Sequence, residues 1–246
     1  MSPEEIEKMF RLEDVYWWFV ARRRLVSLLL REAVEGGEER RVLDVGCGTG
    51  ATMRTLAQHG RVWGVDPSTE ALSRCRERGF TALTRGTVEA LPFGDNSFDV
   101  VTCLDVLEHV DDEAALAELC RVCRPCGWLL LTVPAYRFLW SEHDEALQHR
   151  RRYGAGEVRA KLEAAGFRVA WLTYVLALLL LPIALFRLGQ RLFRRKRAAA
   201  QTAHIMLPDW LNRLLVRLLD LESRLVRRVS LPFGVSVVCL ARKPPA

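Results

Sequence analysis

The stretch VLDVGCGTG, Val42 to Gly50, decides how the rest of the chain is read. An apolar run carrying one carboxylate, Asp44, passes into glycines at 46, 48 and 50 and then into a helix-forming segment. Glycines at such a strand-to-helix turn let the backbone bend sharply and let a ligand approach the main chain closely. The next apolar run, VWGVD (62–66), ends on Asp66, 20 positions after Gly46. At that distance in a βαβ unit a carboxylate meets ribose hydroxyls. The glycine spacing is G-x-G-x-G, not the G-x-G-x-x-G of pyrophosphate binders, and no Lys-Ser/Thr follows as in a phosphate loop. The pattern therefore predicts an adenosine-type cofactor with a ribose and no phosphate.

Working outward, the same rhythm continues through TALT (81–84), FDVVTC (98–103) and WLLLTV (128–133), with helical spacing at Met53–Gln58, Glu70–Arg78 and Glu113–Val122. Asp111 and Asp112 are available as N-caps of the last of these. Continuous apolar strands alternating with helices are the signature of a parallel sheet covered on both faces. A further helix, Glu157–Ala165, ends at Gly166, a strand follows from Phe167, and VSVVCLA (235–241) closes the series.

Five segments in order carry a family resemblance: LDVGCGTG, VDPS (65–68), the G-x-x-E-x-L-P-F of Gly86–Phe93, DNSFDVV (95–101) and VLEHV (106–110). After them comes RVCRPCG (121–127). Together they are similar to the class I S-adenosylmethionine-dependent methyltransferases, with local similarity around CLDVLEHV to ubiquinone-pathway O-methyltransferases. The resemblance implies an α/β, doubly wound, Rossmann-like seven-stranded sheet whose last strand is antiparallel. It also implies S-adenosyl-L-methionine as cofactor. Carried over residue by residue, Asp44, Gly46, Cys47, Gly48 and Gly50 line its methionine end, Asp66 and Pro67 meet the ribose, Thr87, Val88 and Glu89 flank the adenine, and Cys103 and Leu104 face the ammonium. Many relatives have Asp where this chain has Thr87, so the adenine amino contact is the weakest of these.

Methyl transfer from a sulfonium needs alignment, and a base when the nucleophile is a hydroxyl or a protonated amine. The candidates are His109 after the fourth strand, and His143 and His149 in the segment PAYRFLWSEHDEALQHRRRY (134–153). The W-S-x-H-D and H-x-R-R-Y patterns of that segment resemble a bacterial subset of these methyltransferases. Histidine titrates near neutral pH, and Arg151 and Arg152 are placed to clamp a phosphate or carboxylate on the acceptor. The bland alternative is a solvated charged loop. Asp105, Glu108 and His109 together suit a divalent cation, yet most relatives with LEHV bind none, and no metal is expected. Cys120, Cys123 and Cys126 mimic a cluster motif but lack a fourth ligand and read as structural thiols. Near the start, Tyr16 to Phe19 precede Arg22, Arg23 and Arg24. They read either as a lid, with Trp18 over the cofactor and Arg23 on its carboxylate, or as a helix stapled to the sheet.

The chain has 246 residues and a net charge of +6. Residues 174–230 hold 11 Lys and Arg against 3 Asp and Glu, and the remainder holds 25 against 27. Positive charge is thus confined to one leucine-rich segment, which argues against nucleic acid and for an anionic surface. Val169–Phe186 is an uncharged run of 18. Its first part belongs to a strand, and the eleven residues of Leu176–Phe186 would span only roughly 16 Å, about half of a ~30 Å hydrocarbon core, with Pro182 as an interruption. Leu211, Leu214, Leu218, Leu221 and Leu225 recur at helical spacing with arginines on other faces, the pattern of a basic amphipathic helix. The segment reads as a membrane-surface anchor, or as helices that form a homodimer interface or an acceptor pocket.

The chain thus divides into a helical cap (1–40), a methyltransferase core (41–175), a helical insertion (176–230) and a closing strand (231–246), with the arginine run at 194–197 as the nearest thing to a linker. The odd count of seven cysteines and a polar, acidic start point to a cytoplasmic protein, peripheral to the membrane. Its acceptor is expected to be a small, amphipathic or lipid-linked molecule. A soluble small-molecule enzyme, a cofactor-binding scaffold without turnover and an NAD-dependent reductase are the rivals.

Overall fold

The computed structural model describes residues 3–33, 40–192 and 207–245. Two helices, α1 (Pro3–Leu12) and α2 (Trp17–Ala33), precede β1 (Arg41–Val45), α3 (Ala51–Leu56), β2 (Arg61–Asp66), α4 (Thr69–Glu77), β3 (Leu83–Arg85) and β4 (Phe98–Leu104). Then come α5 (Asp112–Val122), β5 (Cys123–Pro134), α6 (Glu142–Ala146), α7 (Ala155–Ala164), β6 (Arg168–Val175), α8 (Ala177–Leu192), α9 (Asp209–Val226) and β7 (Ser236–Arg242).

The strands form one seven-stranded sheet in the order β3-β2-β1-β4-β5-β7-β6, with β7 antiparallel to both neighbours and the other pairs parallel. This is the doubly wound, Rossmann-like sheet with an antiparallel last strand that the family resemblance implies, and its parallel part is the one the apolar runs predict. Strand order reverses between β1 and β4, and in open α/β sheets the crevice outside the carboxyl ends of the strands at that point is where ligands bind. Both faces are covered: Leu43, Val101, Leu129 and Leu131 pack into one apolar core, and Val42, Val100 and Leu130 into the other. The in/out alternation is complete on both sides, which is why these strands read as continuous apolar runs.

Local chemistry fixes the element ends. Asp111 accepts the backbone N–H groups of Glu113 and Ala114 and so caps α5, as its position predicts. Strand β5 starts five residues before the apolar run WLLLTV, because Cys123 already pairs with Phe98 across an irregularity in register. Cys126 sits at φ +64°, a left-handed conformation that favours glycine. Cys120, Cys123 and Cys126 are free thiols, one half-buried, one buried and one exposed.

The helical insertion lies between β6 and β7. Here the expectation for the apolar run needs correction: α8 passes through Pro182 and continues to Leu192. Pro182 and Leu178 are both exposed, so water can satisfy the carbonyl that proline leaves without a donor. Sixteen residues make a helix of about 24 Å. Among the described residues no helix is long and apolar enough to cross a membrane. The run at 194–197 lies outside the described residues.

Candidate functional site

The loop after β1 places its backbone at the switch point of the sheet. Gly46, Gly48 and Gly50 have φ of +71°, +53° and +85°. At Gly46 the space matters as much as the angle, since a Cβ there would lie 2.4 Å from Cγ2 of Val106. The backbone N–H groups of Gly46 and Cys47 donate to the Val65 carbonyl, at 2.8 and 3.1 Å, tying the loop to β2. Asp66, at the end of β2, closes the other side: one carboxylate oxygen accepts from Gly48 N–H at 3.0 Å and the other from Ser68 N–H at 2.9 Å.

Beneath the loop, Asp44 is buried and accepts from the Thr102 hydroxyl of β4 at 2.6 Å. Burial pushes its pKa up to about 7, although the Thr102 hydrogen bond and the nearby Arg22 guanidinium pull the other way. The Cys47 side chain points away from the crevice, with its Sγ 3.9 Å from that of Cys75, so only its backbone faces outward. Cys103 is fully buried and Leu104 nearly so. Thr87 is exposed, Val88 is buried, and the Glu89 carboxylate accepts from Asp111 N–H at 3.2 Å. Pro67 is exposed, and its carbonyl accepts from Arg85 Nε at 3.1 Å.

The N-terminal helices cover this loop. Met9 of α1 lies over Gly48. Glu13, in the turn between α1 and α2, accepts from the Thr49 hydroxyl and pairs with Arg78, whose Nε also reaches the Thr49 carbonyl at 2.8 Å. Burial raises the Glu13 pKa in spite of these partners. Trp18 lines a cavity beside α2, but the arginine facing that cavity is Arg22, not Arg23. Arg22 donates to Asp105, whereas Arg23 donates to the Glu13 carbonyl. The stapled helix is what the structure shows: α2 packs its apolar side on the sheet and directs Arg22 to the strand ends, at Asp105.

The loop combines left-handed glycines, a carboxylate at the end of β2 that holds two backbone N–H groups, and a buried acid beneath them. Residues 43–131 match a family described as "Methyltransferase domain". The core is a class I, S-adenosylmethionine-dependent methyltransferase domain. The chain is 35% identical over 147 residues to a ubiquinone biosynthesis O-methyltransferase of Nitrosomonas europaea, covering 53% of this chain and 62% of that protein. It thus spans about three-fifths of that curated relative. The fold is shared with a Haloferax volcanii chain solved in complex with the Trm112 methyltransferase activator (TM-score 0.62, 22% identity, 99% of this chain and 95% of that one). It is shared too with phosphoethanolamine N-methyltransferase 2 of Haemonchus contortus, solved in complex with S-adenosyl-L-methionine (TM-score 0.57, 21% identity, 89% of this chain and 52% of that one).

Beyond the carboxyl end of β4, the structure brings His109 and His149 together. Their rings meet edge to face with centroids 4.8 Å apart. His149 Nδ1 lies 2.9 Å from Asp144, and its Nε2 lies 3.9 Å from buried Glu108. Burial lowers the His109 pKa to about 4, with His149 adding to the effect, so His109 is neutral near pH 7. His143 lies on α6, half-buried.

Two sequence expectations are corrected here. Arg152 does not face an acceptor: its side chain is buried, donates from Nε to Asp144 at 2.7 Å and from Nη1 to the Ala135 carbonyl at 2.9 Å. Arg151 pairs with Asp112. Burial alone would raise the Asp144 pKa, but the His149 hydrogen bond and the Arg152 guanidinium outweigh it and hold the carboxyl far below its usual range. The acidic set also regroups. Asp105 turns to Arg22 and to the Thr132 hydroxyl, while the ligand atoms of Glu108, His109 and His149 lie within 4.8 Å of one another. These three are the side chains able to hold a divalent cation among the described residues.

Proposed function

We propose that the chain transfers a methyl group from S-adenosylmethionine to a hydroxyl of a small amphipathic or lipid-linked acceptor, working at an anionic membrane surface. Three observations support the cofactor: the left-handed glycine loop, Asp66 bridging that loop to α4, and the family match of residues 43–131. When bound, the cofactor supplies an electrophilic methyl on a sulfonium, which passes to the acceptor oxygen as the acceptor proton is released. In this reading Asp66 and Pro67 hold the ribose side, Thr87 and Val88 border the adenine, and the backbone at Cys103 and Leu104 faces the ammonium. Glu89 serves by fixing the start of α5 beside the adenine.

His149 is the leading base. Asp144 orients its ring and leaves Nε2 toward Glu108, and the neutral His109 ring, set edge to face against it, keeps a second acceptor nitrogen close. Positioned bases contribute about 10²–10⁴-fold. Accordingly, His149→Ala and His109→Ala are expected to lower kcat by about 100-fold with S-adenosylhomocysteine affinity retained, and His143→Ala to have less effect. Unchanged turnover in both of the first two removes the base assignment.

Asp44 gives the cofactor site a pH dependence. Its carboxyl is neutral below about pH 7 and ionised above, and the charged form is the one a nearby cation favours. Affinity for the cationic cofactor is therefore expected to rise by roughly tenfold from pH 6 to pH 8, read by calorimetry. In Asp44→Asn that dependence should disappear.

The membrane half of the reading rests on one observation: the leucine stripe of α9 faces outward. Trp210, Leu214, Leu218, Leu221 and Leu225 are 38–65% exposed, while Val216, Leu219 and Val226 pack inward. Arg213, Arg217 and Arg224 line one edge of the exposed face. Leu178, Leu181, Leu185 and Phe186 of α8 are exposed as well. Apolar patches of this extent mark interaction sites, and arginines beside them draw the face to anionic lipid. Flotation with vesicles containing phosphatidylserine at low salt should lift the wild-type protein, and Leu214→Glu with Leu221→Glu should leave it at the bottom. A wild-type protein that does not float has no such anchor.

A homodimer through the same faces is the second reading, favoured by the same exposure. It predicts a concentration-dependent dimer in sedimentation that the two glutamate substitutions abolish.

A further inference from the structure

Helix α9 is tied to the cofactor loop by a route that bypasses the sheet. Its first turn carries Asn212, whose side-chain amide closes on the start of α2 with both of its polar atoms. Oδ1 accepts the backbone N–H of Trp17 at 2.9 Å, and Nδ2 donates to the Val15 carbonyl at 2.9 Å. Trp17 is the first residue of α2, and the N–H groups of a first helical turn have no partner within their own helix. A residue 195 positions further along the chain supplies that partner. An amide suits the task because it presents a donor and an acceptor side by side, whereas an ionised carboxylate offers acceptors alone.

The turn held in this way, Glu13 to Tyr16, braces the glycine loop. It follows directly from α1, with the Val15 and Tyr16 N–H groups donating to the Leu12 carbonyl at 3.1 and 2.8 Å. At its start the buried Glu13 carboxylate accepts from the Thr49 hydroxyl, and Thr49 stands between Gly48 and Gly50. Arg78 locks the arrangement from the end of α4, with Nη1 2.8 Å from Asp14 and Nη2 3.2 Å from the Phe10 carbonyl. Helix α9 is itself fixed on α2 by Leu219 and Val226 and by the ion pair of Asp220 with Arg24. A continuous set of contacts thus leads from the insertion through Asn212, the turn and Glu13 to Thr49.

Resting on the methyltransferase reading above, we infer that Asn212 is a positioning residue for the cofactor site: it holds the turn before α2 so that Glu13 keeps the glycine loop in its binding shape. The helical insertion is thereby part of the cofactor half of the protein. Apparent affinity falls in proportion to the fraction of molecules whose site is in the competent form. Two neutral hydrogen bonds are of the size that makes this loss about tenfold.

The probe is S-adenosylhomocysteine, titrated calorimetrically into the full chain. Asn212→Leu nearly keeps the size of the side chain and removes both bonds; its affinity is expected to fall by about tenfold. Asn212→Asp keeps the bond from Trp17 N–H but sets an acceptor against the Val15 carbonyl, and should lose about threefold. In both, hydrogen exchange without ligand should quicken in peptides covering Glu13–Trp17 and Gly48–Gly50. Val226→Ala supplies a purely structural loss. It cuts into the packing of α9 on α2 at a point 14 residues beyond Asn212, about 21 Å along the helix. That variant should unfold at lower urea, yet bind S-adenosylhomocysteine within about twofold of wild type and leave exchange at Gly48–Gly50 unchanged. Wild-type affinity in a folded Asn212→Leu, an equal loss in Val226→Ala, or an affinity loss without faster exchange at the loop overturns the inference. If Asn212→Leu does not fold, Asn212→Asp decides, and wild-type affinity there overturns it. A wild type that binds S-adenosylhomocysteine no better than its variants removes the inference alone, while a wild type that does not bind it removes the methyltransferase reading and the inference with it.

Discussion

Replacing Asp66 by alanine is expected to reduce affinity for S-adenosylhomocysteine by about 100-fold or more. The carboxylate does two jobs at once. It holds Gly48 N–H at 3.0 Å and Ser68 N–H at 2.9 Å, which fixes the glycine loop against the start of α4, and it stands at the end of β2 where a ribose would lie. Hydrogen bonds to a charged group contribute about 1.5–3 kcal/mol each, so loss of two such bonds accounts for 100-fold at the lower limit. Burial raises the Asp66 pKa and the two backbone donors counter it, so the loss should grow as rising pH ionises the carboxylate. Asp66→Asn keeps one acceptor oxygen and should lose only about tenfold. Equal affinity for wild type and Asp66→Ala in calorimetry would remove the carboxylate from the site.

The second large effect is on stability. Gly46→Ala puts a methyl 2.4 Å from Val106 Cγ2 at a φ of +71°. The left-handed conformation costs a side-chain-bearing residue roughly 1–2 kcal/mol, and overpacking adds about 1–3 kcal/mol. A destabilisation of about 2–5 kcal/mol is therefore expected in urea titrations, with cofactor binding lost even where the protein is still folded. Gly79→Ala separates the two causes. Its φ is +90° but a Cβ there meets nothing within 4 Å, so only the conformational cost of about 1–2 kcal/mol should appear. If both substitutions cost the same, the contact with Val106 contributes nothing.

The sheet and the cofactor loop were legible in the sequence because local chemistry dictates them. VLDVGCGTG and Asp66 belong to one βαβ unit, in which glycine conformation and the 20-residue spacing do not depend on distant parts of the chain. The apolar stripe of α9 was legible for the same reason, since helical spacing alone shows it. The direction that stripe faces was not, because burial depends on what α9 meets, and it meets α2 through Leu219 and Val226 rather than through the more regular row of Leu214, Leu218, Leu221 and Leu225.

Side-chain pairings made across long separations were missed. Arg22 and Arg23 cannot be told apart by position, because the helical phase of α2 is set by a turn at Glu13 to Tyr16 that the sequence does not specify. Asp105 was grouped with Glu108 and His109 by proximity along the chain, yet its positive φ swings it toward Thr132 and Arg22. Arg152 has the chemistry of an anion clamp, and only the fold reveals the buried Asp144 that it neutralises. Glu13 carried no signal at all, as nothing near it in the sequence foretells a contact with Thr49.

The most direct measurement of the central claim is transfer of labelled methyl from S-adenosylmethionine into separated lipid and aqueous extracts of the host, with wild type and Asp66→Ala side by side. Label is expected in the lipid fraction with the wild type and none with Asp66→Ala. Label confined to the aqueous fraction would contradict the membrane acceptor, and no label in either fraction from a protein that binds S-adenosylhomocysteine would contradict methyl transfer itself.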